Sequence, residues 1–96
     1  MRFTFHPNAE IEFDQAVAYY EHRQSGLGLE LADEVLATIT RILDYPRAGS
    51  PFSKHTRRCL TNRFPYGVIY QMHEDIVRII AVAHLSRRPG YWEERV

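Results

Sequence analysis

One cysteine, one lysine, one tryptophan and no net charge are the scarcities of this 96-residue chain. A lone Cys59 excludes an internal disulfide framework and a thiolate zinc cluster. No apolar run approaches the ~18 residues of a membrane span, because Arg78 interrupts the longest one. Met1 to Phe5 lacks the apolar core of a signal peptide, so a reducing cytoplasm is the expected compartment. The length holds one domain, residues 1–96, since two hydrophobic cores would not fit. Against these absences, 45% hydrophobic and 25% charged residues are ordinary for a folded protein and argue against disorder.

The balanced charge conceals an asymmetry. Residues 1–45 carry eight acidic and three basic side chains, a net of −5, and residues 46–96 carry nine basic and four acidic, a net of +5. Eleven of the 12 cations are arginine, whose planar fork grips phosphate or carboxylate. The second half can face an anionic partner, or the two halves can simply attract each other within the fold.

Arg2 to Phe5 alternates and reads as a short strand. Pro7 suits the first helical position, and Glu10, Glu12 and Asp14 suit the positive end of a helix dipole. Ala9, Phe13, Ala16, Val17 and Tyr20 share one face of a helix over residues 7–23. A second helix is expected over residues 27–45, with Ala32, Val35, Leu36, Ile39, Ile42 and Leu43 at helical spacing. The short join makes the pair an antiparallel hairpin. Residues 46–56 read as an exposed, mobile loop. Three strand-like runs follow, Arg57 to Phe64, Tyr66 to Met72 and Ile76 to His84, with a turn at His73-Glu74-Asp75. The last run is apolar on both faces, as a covered strand would be. The expected fold is α+β: two layers in β-α-α-β-β-β order, a helical hairpin packed on an antiparallel sheet.

Several motifs in order carry a resemblance. They are His6-Pro7-x-Ala9-Glu10, Tyr19-Tyr20-Glu21, Gly26-x-Gly28, Tyr45-Pro46-x-Ala48-Gly49, Arg57-Arg58-Cys59 and Arg63-Phe64-Pro65-Tyr66-Gly67. Ala81-Val82-Ala83-His84, Arg87-Arg88-Pro89 and Tyr91-Trp92 close the series. With this element order, the chain resembles the RelE/ParE toxins of type II toxin–antitoxin pairs over nearly its whole length. The resemblance implies a cognate antitoxin partner, a larger toxin–antitoxin assembly and no cofactor. It leaves two targets open. RelE-like members cut messenger RNA on the ribosome, whereas ParE-like members poison DNA gyrase without known catalysis.

In the nuclease branch an Arg follows the Tyr that opens the strand, and here Gly67 stands there. A tail Arg and Tyr of that branch align with Ser86 and Trp92, or with Arg87 and Tyr91 after a one-residue slide. The resemblance therefore tilts toward the ParE-like branch. A nuclease would use Arg63, Arg87 and Arg88 on the phosphate and His84 as acid or base. A member that has lost toxicity and only binds its partner is a third reading.

Among the individual residues, His84 fits either a catalytic imidazole or a strand-end structural one. Arg57, Arg58, Arg63 and Arg88 are candidates for target or antitoxin contact, or for ion pairs on a solvated face. Tyr91 and Trp92 fit partner anchors or aromatics folded back on the sheet. Cys59 reads as a buried structural thiol. His6, His22, His55 and His73 show no metal-ligand spacing, and Gly26-x-Gly28 follows no strand, so it is no phosphate loop.

Overall fold

His6 and Pro7 set the first boundary. In the computed structural model, which describes residues 1–96, strand β1 spans Arg2–Phe5 and helix α1 spans Pro7–Arg23. His6 is the N-cap, and its Nδ1 accepts the Asn8 N–H at 3.1 Å. Burial, together with the cations of Arg78 and Arg95, lowers the pKa of His6 against the opposing pull of Glu12. The ring thus remains an acceptor for the helix end.

Helix α2 spans Leu27–Asp44, and the two short motifs around its start explain each other. Gly26 has φ 89°, which glycine adopts without steric cost. The Glu21 carboxylate of α1 accepts from Gly26 N at 2.9 Å and from Gly28 N at 3.0 Å. A Cβ on Gly28 would lie 2.5 Å from the Val17 carbonyl oxygen. The hairpin therefore closes tightly only with glycine there, and the acid of one helix caps the next.

Strands β2 (Ser50–Pro51), β3 (Arg57–Leu60), β4 (Tyr66–His73) and β5 (Ile76–His84) complete a five-stranded sheet ordered β1-β5-β4-β3-β2. The two-layer α+β architecture is as expected. The sheet is mixed rather than antiparallel throughout, because β1 runs parallel to β5, Phe5 opposite Ile79. The segment read as a mobile loop contains edge strand β2, paired as Ser50↔Arg58 and Pro51↔Arg57, and an edge is where a proline is tolerated. Tyr70 pins that segment: its hydroxyl donates to Pro46 O at 2.7 Å and accepts from Gly49 N at 3.0 Å. Strand β3 stops at Leu60, short of Phe64, because Thr61 Oγ1 donates to Phe64 O at 2.7 Å and closes a turn.

The register of β4 on β5 shifts between Ile69↔Ala81 and Tyr70↔Ile79, leaving Ile80 as an extra residue. The bulge resets which side chains face the helices. Val77, Ile79 and Val82 join the core under α1 and α2, with Leu31, Val35, Ile39 and Ile42. Ile80, Ala81 and Ala83 join Ile69 and Trp92 in a second core on the opposite face, flanked by Phe52 and Tyr91. The chain after β5 therefore folds back over the sheet, which explains why β5 is apolar on both faces. Cys59 is buried, 3.2 Å from Arg41 Nη2.

Candidate functional site

Strand β1 ends opposite Ile79, so β5 continues with an unpaired edge. Unpaired backbone groups at such an edge need partners. A side-chain ion pair supplies them. Glu12 of α1 accepts the Val82 N–H at 3.1 Å, and Arg95 Nη1 donates to the Ile80 carbonyl at 3.0 Å. The two side chains bond each other at 3.0 and 2.9 Å and are only 12% and 13% exposed. Burial works against the charge on Arg95, and the Glu12 carboxylate more than offsets it, so its pKa is raised. This clamp holds the tail, residues 85–96, onto the sheet.

Tyr91 sits between two guanidinium groups, with Arg87 Cζ 3.7 Å and Arg95 Cζ 5.2 Å from its ring centroid. Its hydroxyl is buried beside Glu12 but outside hydrogen-bond geometry. Burial, then the neighbouring carboxylate, pushes the phenol well above its ordinary range. Trp92 lies beneath, its ring 5.7 Å from that of Phe52.

The clamp brings Arg58, His84, Arg87, Arg88, Tyr91 and Trp92 around one cleft of about 40 Å³. That is far below the ~300 Å³ at which small-molecule sites begin, so the cleft is a surface feature and not a substrate cavity. His84 Nδ1 accepts the Ser86 N–H at 3.0 Å and lies 2.7 Å from Ser86 Oγ. With that lone pair occupied, the neutral ring carries its proton on Nε2, which makes Nε2 a donor and not a base.

The remaining expected residues lie elsewhere. Arg63 does not line the cleft. It pairs with Glu30 and Glu34 of α2, its Nε 3.1 Å from Glu34. Burial of Glu34 is outweighed by hydrogen bonds from the Arg63 and Asn62 backbones and the Arg63 guanidinium, which lower its pKa. Arg57 faces away from the cleft and donates to Gly49 O at 2.7 Å. Trp92 is 2% exposed, so it is packing beneath the site and offers no open ring for stacking. Gly67 lies under Arg58, whose Cδ would sit 3.0 Å from a Cβ placed there.

Sequence reasoning passed over Phe52 and Arg95, took Ser86 only as a departure from the nuclease pattern, and read Glu12 only as a dipole partner. The apolar second face of β5 was the available signal that a tail must cover it. No group of three or more His, Cys, Asp or Glu side chains is placed to hold a metal ion. No helix is long and apolar enough to cross a membrane.

A search of curated protein sequences gave no significant match. A solved structure described as the chromosomal ParDE toxin–antitoxin system from P. aeruginosa superposes with a TM-score of 0.75. It is 14% identical and covers 90% of this chain and 97% of its own. At that identity the likeness speaks for the fold. The family model described as the ParE toxin of the type II toxin–antitoxin system parDE matches residues 3–89. Spanning nearly the whole domain, that match means the chain belongs to the ParE toxin family of type II toxin–antitoxin systems.

Proposed function

We propose that this chain is a growth-inhibiting toxin that acts in the bacterial cytoplasm by binding DNA gyrase. A cognate antitoxin, a small protein with a segment that orders along the toxin, neutralises it, and the pair forms a larger complex. Family membership supports the toxin role. The gyrase reading is supported by two absences from the cleft that gathers His84, Arg87 and Arg88: Arg63, and any side chain at position 67. Cleavage at a ribose 2′-OH requires a base, a phosphate clamp and an acid converging within hydrogen-bond reach. Here Arg63 is held by α2, Gly67 presents no side chain, and His84 Nδ1 is taken by Ser86. What remains is a shallow rim of Arg58, Arg87, Arg88 and His84, a surface for docking on a large partner.

Pulse labelling after induction without antitoxin tests this. Thymidine incorporation should fall before methionine incorporation, and the purified protein should inhibit gyrase supercoiling. Methionine falling first would overturn the gyrase reading in favour of ribosomal cleavage. His84→Ala should retain toxicity. Its loss, with antitoxin binding intact, would make His84 a functional group.

A further inference from the structure

Gly67 does more than withhold a nuclease side chain. In the register of β3 on β4, Arg58 stands opposite Ile69, so both face away from the helices, where Ile69 packs with Phe52 and Trp92. A Cβ on Gly67 would lie 3.0 Å from Arg58 Cδ and 3.1 Å from its Cγ. The bare glycine thus gives the Arg58 arm a seat across β4. The arm ends with Cζ 4.2 Å from the Phe52 ring centroid. From the tail, Arg87 Cζ stands 3.7 Å from the Tyr91 centroid. Both arginines line the cleft of about 40 Å³.

Close stacking and a shared cleft distinguish this pair from the other arginines. Arg23, Arg63 and Arg95 also lie over rings, but farther off, at 5.5, 5.3 and 5.2 Å. Each of those three spends its N–H groups on fixed acceptors. Arg23 donates to the Tyr19 hydroxyl, Arg63 to Glu30 and Glu34, and Arg95 to Glu12 and the Ile80 carbonyl. A guanidinium held face-on to a ring is oriented there and keeps its N–H edge for an anion. Arg87 reaches Glu12 only at 3.5 Å, beyond the usual range of such a bond. Arg88 joins the rim, and no carboxylate lines the cleft.

Size decides what enters. A water needs ~10–15 Å³ of such space, so a cleft of about 40 Å³ admits roughly three to four heavy atoms. A carboxylate with its methylene fits that limit. A phosphodiester, with four oxygens on phosphorus and two ester carbons, exceeds it. Phe52, Leu85 and Pro89 on the walls are apolar, which suits the methylene behind a carboxylate and not a hydrated sugar–phosphate chain.

We propose that this cleft takes the carboxylate of an Asp or Glu side chain from a protein partner. The N–H edges of Arg58 and Arg87 grip its oxygens, and Arg88 adds charge at the rim. One charged anchor ringed by apolar surface is the arrangement that concentrates binding energy at an interface. The inference rests on the reading of this rim as a docking surface for a protein, and not on gyrase as that protein.

The test is fluorescence anisotropy of fluorescein-labelled hexaglutamate with the full chain at low salt. Saturable binding is expected. Arg58→Gln and Arg87→Gln should each weaken it about tenfold, the scale of losing a charged hydrogen bond. Arg58→Lys keeps the charge and loses the fork, and should also bind more weakly than the parent. Arg2→Gln removes an equal charge from the same sheet face, since Phe3 and Phe5 take the helix side of β1, and lies outside the cleft. It should leave the affinity unchanged. Circular dichroism confirms that each variant is folded. Absence of saturable binding overturns the proposal. So does an equal loss in Arg2→Gln and Arg58→Gln, which would mean diffuse attraction only. Displacement by heptathymidylate, with its six phosphodiesters, at a lower concentration than by unlabelled hexaglutamate would give the cleft to a nucleic acid and overturn it as well. The two readings fail separately. A chain that leaves gyrase supercoiling untouched but binds hexaglutamate through Arg58 and Arg87 would lose gyrase and keep this site. A chain that inhibits supercoiling but takes no hexaglutamate would keep gyrase and lose this site.

Discussion

Glu12→Ala should release the tail. The carboxylate takes bonds from Val82 N at 3.1 Å and from Arg95 at 3.0 and 2.9 Å, with Arg87 at 3.5 Å. Removing one member of a buried ion pair costs ~3–5 kcal/mol because the other charge is left uncompensated. Arg95 keeps the Ile80 carbonyl, and both side chains retain slight exposure, so the lower end applies, about 3 kcal/mol. For a domain of this size that is a drop of roughly 12–24 °C in Tm. Glu12→Gln preserves an acceptor for Val82 N–H but loses the charge and one of the two oxygens that accept from Arg95, so about 1.5–3 kcal/mol is expected. Trp92 is the only tryptophan and is buried under the clamp, which makes its emission a local probe. In Glu12→Ala that emission should shift to the red below the far-ultraviolet melting transition, as the tail leaves before the core unfolds. A Glu12/Arg95 double-alanine cycle should give a coupling above ~1 kcal/mol. Stability of Glu12→Ala within ~0.5 kcal/mol of the parent, with unchanged emission, would refute the clamp.

Other outcomes follow from single contacts. Gly28→Ala places a Cβ 2.5 Å from Val17 O and 2.8 Å from Glu21 Cβ, neither free to move, and should cost ~1–3 kcal/mol in urea unfolding. Gly67→Ala crowds the flexible arm of Arg58, at 3.0 and 3.1 Å, and touches Leu60 Cδ2 at an ordinary 3.5 Å, so it should cost under ~1 kcal/mol in the same assay. The raised phenols of Tyr66, Tyr70 and Tyr91 keep protons that the unfolded chain gives up. Stability should therefore be complete below pH ~10 and decline as pH rises through the folded-state values, by at most ~1.4 kcal/mol per pH unit per residue. Tyr91→Phe should flatten that decline and lose nothing at neutral pH, since its hydroxyl has no hydrogen-bond partner. A steeper alkaline slope in the variant would contradict this.

By itself the sequence determined β1, both helices, β4 and β5, but neither β2 nor the end of β3. Pro7 after His6, Gly26 with Gly28, and the turn at Glu74 (φ 57°) are local signals, each acting within a few residues. They placed β1 at Arg2–Phe5, α1 at Pro7–Arg23 and β5 at Ile76–His84. The apolar second face of β5 announced a cover, and the ordered motifs led to the toxin family. Only the tertiary structure decided the parallel pairing of β1 with β5, the edge strand β2 and the bulge at Ile80. These depend on which strand edge is left free after the helices pack, and no local pattern encodes that. The site divides the same way. Arg58, His84, Arg87 and Arg88 were visible as chemistry, but nothing near Arg63 in sequence assigns it to Glu30 and Glu34. Glu12 and Arg95 meet 83 residues apart. A contact across that separation exists because α1 and the tail converge on one unpaired strand edge, whose backbone groups cannot be buried unsatisfied.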